Sequence, residues 1–115
     1  MYYMFRNAKS FSPDISKWGV SRKTGLQSMF YNAQSFSVYI SKWDVSRVTN
    51  MRSMFSGAQS FNADISKWDV SRVTYHNMDY MFYNAKSFSQ TLCGAWKSSG
   101  TYKNDMMSGS SGRIC

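Results

Sequence analysis

Six basic side chains recur at fixed places: Lys17, Lys42 and Lys67 are 25 residues apart, and so are Arg22, Arg47 and Arg72. Ammonium and guanidinium groups offer positive charge and hydrogen-bond donors only, so two such rows would bind carboxylates or phosphates. Asp44 and Asp69 follow Lys42 and Lys67 by two residues, and that leaves two readings. In one, the Asp side chains pair diagonally with the lysines on a merely solvated face, where each exposed pair contributes about 0–1 kcal/mol. In the other, the Arg row, with Lys17 opposite Gly19, is a basic stripe for an acidic partner.

Catalysis finds little to work with. The chain has one His, and its six acidic residues are all Asp, so the usual general acid–base groups are scarce. His76, Cys93 and Cys115 are three metal-ligating residues at spacings unsuited to a structural zinc site, which takes four. No phosphate-cradling glycine loop and no serine-nucleophile motif occurs. The expectation is a protein that is not an enzyme and needs no cofactor or metal. Cys93 and Cys115 admit either one bridge, stapling the C-terminal end in an oxidising compartment, or two free thiols.

Fourteen Lys and Arg against six Asp give a formal charge of +8, which draws the chain toward nucleic acid, anionic lipid head groups or acidic proteins. With 43% hydrophobic residues over 115 positions it should fold, as one domain. No apolar run of around 18 residues predicts a transmembrane segment, and no secretion signal is apparent.

These side chains must be positioned by a repeat. Met-Phe occurs at Met4-Phe5, Met29-Phe30, Met54-Phe55 and Met81-Phe82, followed by Ala8, Ala33, Ala58 and Ala85 and then by Phe11, Phe36, Phe61 and Phe88. The last step is longer because the junction Val73-Thr74-Tyr75-His76-Asn77-Met78 holds two residues more than Val48-Thr49-Asn50-Met51. Insertions of this kind map to connecting turns.

The two halves of each copy have different periods. Ile15 to Arg22, Ile40 to Arg47 and Ile65 to Arg72 place apolar residues first, fourth and sixth, the spacing of a leucine-rich-repeat strand. Met51, Met54, Phe55, Ala58 and Phe61 share one helical face, with Thr24, Thr49 and Thr74 placed as N-caps. The expected fold is an α/β solenoid, leucine-rich-repeat-like, of about four stacked strand–helix turns with a parallel sheet. It would occupy residues 1–96, with 97–115 as a C-terminal cap and flexible tail in which Ser108 to Gly112 reads as linker. Trp18, Trp43 and Trp68, like Met4, Met29, Met54 and Met81, are expected in the core. Tyr2, Tyr3, Tyr31, Tyr75, Tyr80 and Tyr83 are expected near surfaces or turns.

The string Met-Phe-x-x-Ala-x-x-Phe-Asn-x-Asp-Ile-Ser-x-Trp-Asp-Val-Ser-x-Val-Thr-x-Met, seen from Met54 to Val73 with its flanks, resembles the BspA-like leucine-rich-repeat surface proteins. That family's repeat of unknown function occurs in mycoplasma lipoproteins and in microbial and protist surface proteins. The resemblance covers about residues 1–96. It implies a leucine-rich-repeat solenoid at the cell surface or outside the cell, used in adhesion or partner binding, and no catalytic residues.

The first full copy departs from the pattern. Gly19 stands where Asp44 and Asp69 do, Tyr39 where Asp14 and Asp64 do, and Lys23 where Val48 and Val73 do. Met1 aligns with Met51, midway through a copy. The expectation is a fragment of a longer array, or a second chain covering the uncapped edge near Ile15 to Ser21 by end-to-end association. The functional expectation is a non-catalytic module that recognises a protein or glycan through Arg22, Arg47, Arg72, Lys17, Lys42 and Lys67. The alternative is a basic accessory subunit docking on an anionic assembly, either a nucleic-acid particle or an acidic protein complex.

Overall fold

The half of each copy built on Met and Phe is a run of overlapping β-turns, although its apolar offsets match a helix. The amide N–H groups of Leu26, Ser28, Phe30 and Asn32 donate to the carbonyls of Asn50, Arg52, Met54 and Ser56, at 2.9, 2.9, 3.0 and 2.8 Å. The amides between them turn inward on their own copy: Met29, Tyr31 and Ala33 donate to the carbonyls of Leu26, Ser28 and Phe30. The pattern recurs when Met51, Ser53, Phe55 and Gly57 donate to Asn77, Asp79, Met81 and Tyr83, and again when Tyr80, Phe82 and Asn84 donate to Asn104, Met106 and Ser108. These N–H groups thus go alternately to a neighbouring copy and to a three-residue turn, and none closes the four-residue ring of an α-helix.

This structure is a computed structural model, and it describes residues 3–9, 15, 17–74, 76–98 and 103–115. Among them, regular elements are few: strand β1 (Thr91–Leu92), helix α1 (Ala95–Ser98) and strand β2 (Arg113–Ile114). β1 and β2 make one two-stranded parallel sheet, with Thr91 opposite Arg113 and Leu92 opposite Ile114. Elsewhere there is only an isolated parallel bridge between Gly25 and Asn50. The expected leucine-rich-repeat solenoid of strand–helix turns with a parallel sheet is therefore wrong. Among the described residues no copy contains its predicted helix, and Thr24, Thr49 and Thr74 cap none. Instead the Thr49 amide and hydroxyl both reach the carbonyl of Thr24, at 2.8 and 3.2 Å.

The physical reason lies in the backbone. Ser28 and Asn32, Ser53 and Gly57, Tyr80 and Asn84, and Asp105 and Gly109 all have positive φ, between 49° and 79°. Two left-handed residues four apart interrupt any right-handed helix. Short polar residues and glycine tolerate that conformation best, which suits the Ser, Asn, Asp and Gly at most of these positions. The inward face is as the period predicts: Met51, Met54, Phe55, Ala58 and Phe61 are all buried.

The stretches expected as strands are pairs of β-turns. Trp43 donates its amide to Ile40 and Val48 to Val45, with the same bonds at Trp68 to Ile65 and Val73 to Val70, and at Trp18 to Ile15 and Lys23 to Val20. Alternation survives without a strand, because Trp43 and Val45 point inward while Lys42 and Asp44 point outward. The indole N–H groups of Trp43, Trp68 and Trp96 each donate to an isoleucine carbonyl of the preceding copy, Ile15, Ile40 and Ile65, at 3.1, 3.1 and 3.2 Å. α1 takes up the extra residue before Trp96. Trp18 and Met4, expected in the core, remain 38% and 53% exposed, Trp18 with the Phe5 ring 5.4 Å away.

Phenylalanines form the centre. Phe5, Phe30, Phe55 and Phe82 follow one another with ring centroids 5.6, 5.6 and 5.7 Å apart, and Phe36, Phe61 and Phe88 at 5.9 Å. Within a copy the two files meet face to face at 3.9–4.0 Å. The near-parallel pairs between copies, 5.6–5.9 Å apart, fall in the offset range in which aromatic pairs add about 0.5–1.5 kcal/mol each to what burial contributes.

Residues 103–115 join the same ladder. Ser108 accepts from Asn84, and Ser111, Arg113 and Cys115 donate to the carbonyls of Phe88, Gln90 and Leu92. Gly109 holds a φ of +79°, and Gly112 lies against the Phe88 ring, where a Cβ would collide. The Ser-Gly composition of this stretch serves close backbone approach. Cys93 and Cys115 are joined by a disulfide, Sγ–Sγ 2.01 Å and Cα–Cα 5.3 Å.

Candidate binding face

Each copy presents its two cations by the same device. Lys17, Lys42 and Lys67 are the third residues of the turns Ile15–Trp18, Ile40–Trp43 and Ile65–Trp68. Arg22, Arg47 and Arg72 are the third residues of the turns that follow, Val20–Lys23, Val45–Val48 and Val70–Val73. All six side chains are exposed. Buried Ile, Trp and Val side chains hold the turn corners of the second and third copies, whereas the first has the exposed Trp18 and Lys23 at two of its corners.

Among the described residues Asp44 and Asp69 form no close pair with the lysines, although one reading expected such pairs. Asp44 Oδ1 accepts from the Ser46 amide at 3.0 Å and its hydroxyl at 2.6 Å, and Asp69 does the same with Ser71. Asp64 Oδ1 accepts from the Ser66 amide at 3.0 Å. These bonds hold all three carboxyls below the ordinary aspartate range, the hydrogen bonds from serine being the main cause, with Arg47, Lys67 and Arg72 assisting Asp44, Asp64 and Asp69 respectively. Among the described residues none of the six cations lies within 4 Å of a carboxylate; the one contact at that range is His76 to Asp79.

Shallow clefts separate the lysines. Lys17, Tyr39, Ser41 and Lys42 line one of about 450 Å³, and Ser41, Lys42, Asp64 and Lys67 line the next, of about 280 Å³. Arg22 opens instead on a different cleft, with Lys23, Thr24, Gly25, Gln27, Thr49 and Asn50. Arg47 and Arg72 stand beside Asp44 and Asp69. The lysines are thus brought together in adjoining clefts, and the arginines are not.

Two features escaped the sequence reading. Tyr39, 78% exposed, is the most displayed of the large apolar side chains among the described residues. Its signal was its place in the repeat, where the neighbouring copies carry Asp14 and Asp64. Elsewhere Arg6 lies over the rings of Tyr3 and Tyr31, centroid distances 5.6 and 5.0 Å, and Arg52 over Tyr80 at 5.8 Å. Tyr2 and Tyr75 fall outside the described residues.

His76 does not join the cysteines. Its Nδ1 lies 3.0 Å from Oδ2 of Asp79, a carboxylate only 4% exposed, whose Oδ1 accepts the Asn104 amide at 3.0 Å. This cluster ties residues 103–115 to the preceding copy. No group of three or more metal-ligating side chains occurs among the described residues.

A family profile described as "Mycoplasma protein of unknown function, DUF285" matches residues 1–113. The chain belongs to this family. The DUF285 match runs past Leu92, where the repeat string fades, and takes in the segment whose backbone continues the ladder to Arg113. No curated protein and no solved structure matches the chain. Among the described residues no helix is long and apolar enough to cross a membrane.

Proposed function

We propose that this DUF285 chain is a non-catalytic binding module, displayed at the cell surface or outside the cell, that recognises an acidic protein or glycan through its two rows of cations. The observation that carries this reading is the repeated presentation of Lys and Arg on hydrogen-bonded turns while the nearby Asp side chains are bonded to serine. A regular array of cations with no carboxylate within 4 Å among the described residues favours an extended anionic ligand, because each contact adds to the last. The Cys93–Cys115 bridge suits an oxidising compartment, and the resemblance to BspA-like surface proteins points the same way.

Retention on heparin, on nucleic acid and on a panel of acidic proteins across a salt series tests this. The expected result is binding to a particular acidic protein or glycan that weakens when Arg22, Arg47 and Arg72 become Ala. A steep salt dependence on nucleic acid, with nothing selective elsewhere, would favour docking on a nucleic-acid assembly instead. No retention on any of them would reject both readings.

A further inference from the structure

We propose that the cleft between Lys17 and Lys42 is a subsite for an acidic sugar residue, with Tyr39 as its platform; this rests on the binding-module reading above. Two adjoining clefts of the lysine row each bring two lysines together and share Ser41 and Lys42, and they differ in residue type at one repeat position. Asp64 stands beside Lys67 in the cleft with Lys42, whereas Tyr39 occupies the equivalent place in the cleft shared by Lys17 and Lys42. The carboxylate that partly offsets one pair of lysines is therefore replaced, in the other, by an exposed ring. Among the described residues that line it, this cleft has two ammonium groups, a serine hydroxyl, an aromatic face and no carboxylate.

This set matches a particular ligand. The C–H face of a pyranose packs on the negative face of an aromatic ring, while a carboxylate or sulfate on the same sugar takes the ammonium donors. The hydroxyl of Ser41 can serve the sugar's own hydroxyls. A nucleic acid strand fits less well, because base-stacking grooves supply an aromatic for successive bases, and here Tyr39 is the one aromatic at its repeat position, the others being Asp14, Asp64 and Thr91. Burial gives no reason for the ring: Tyr39 is 78% exposed and contributes little to the core.

The test titrates a labelled heparin oligosaccharide, a single-stranded DNA of similar charge and neutral dextran into the disulfide-bonded chain at near-physiological salt. Tyr39→Phe keeps the ring, Tyr39→Ala removes it without adding charge, and Tyr39→Asp restores the residue of the neighbouring copy. Expected are heparin binding within about twofold of the parent for Tyr39→Phe, about tenfold weaker binding for Tyr39→Ala, a larger loss for Tyr39→Asp, and tighter binding for Asp64→Tyr, which copies the subsite. Thermal melts matching the parent would place the loss in binding. Unchanged heparin affinity in Tyr39→Ala, with loss only when Lys or Arg are removed, overturns the subsite and leaves the module standing. Equal, Tyr39-dependent affinity for the DNA overturns the sugar assignment. No heparin binding by the parent, with a salt-insensitive acidic-protein ligand, removes the subsite while the wider reading survives.

Discussion

Asn32 and Gly57 show how one position is solved twice. Both hold a positive φ at the same place in successive copies, and where glycine stands, the Oδ1 of Asn32 occupies the space a Cβ would need. Gly109 stands in the same relation to Asn84. An asparagine that leans over its neighbour is thus matched by a residue with no side chain. Gly57→Ala should lower stability by about 1–2 kcal/mol from backbone strain, and more from the collision with Asn32, read as a drop in the denaturant midpoint. The contrasting variant is Gly19→Asp. Nothing lies within 4 Å of a Cβ at Gly19, and Asp there copies Asp44 and Asp69, so its melting temperature should equal or exceed the parent's.

At the scale of the turn, the sequence held the answer to its own misreading. Offsets of 0, 3, 4, 7 and 10 are shared by a helix and by this chain of overlapping β-turns, so burial was legible and hydrogen bonding was not. The discriminating signal was Asn7, Asn32, Gly57 and Asn84 recurring in the middle of each supposed helix, all of them now with positive φ. The Asp-Val-Ser strings were misjudged in the same way. Their carboxylates, expected to meet lysine, close turns on Ser46 and Ser71. Because these carboxyls have lowered pKa values when folded, they stabilise the folded state above their unfolded pKa. That contribution fades as pH falls through the lowered folded values. Stability should therefore hold from neutrality down to about the ordinary aspartate value and fall below it. In Asp44→Asn/Asp69→Asn the fall should be shallower, as followed by melts across acidic pH.

Across the whole molecule, the cation rows and the apolar files were readable because both follow the 25-residue period. Lys17 with Lys42, and Lys42 with Lys67, do share clefts. The role of Tyr39 was less legible, since it shows only as a departure from that period. The C-terminal end is held by the β1–β2 pair, the His76–Asp79–Asn104 cluster and the disulfide. Closing a loop of 22 residues contributes about 3 kcal/mol through the unfolded chain. Cys93→Ser/Cys115→Ser should lose about that much in equilibrium unfolding, with amide exchange rising first in residues 111–115.

A backbone that bonds each block to the next in one unvarying manner sets no particular number of blocks. Excising residues 26–50 would join Gly25 to Met51 and let the first block face the third with every bond type intact, whereas excising about half of them would put left-handed positions opposite residues that cannot adopt them. The shorter chain should melt in one cooperative step only in the former case. Variation in size among such proteins would then come in whole increments, so that reach can change while the local architecture stays the same.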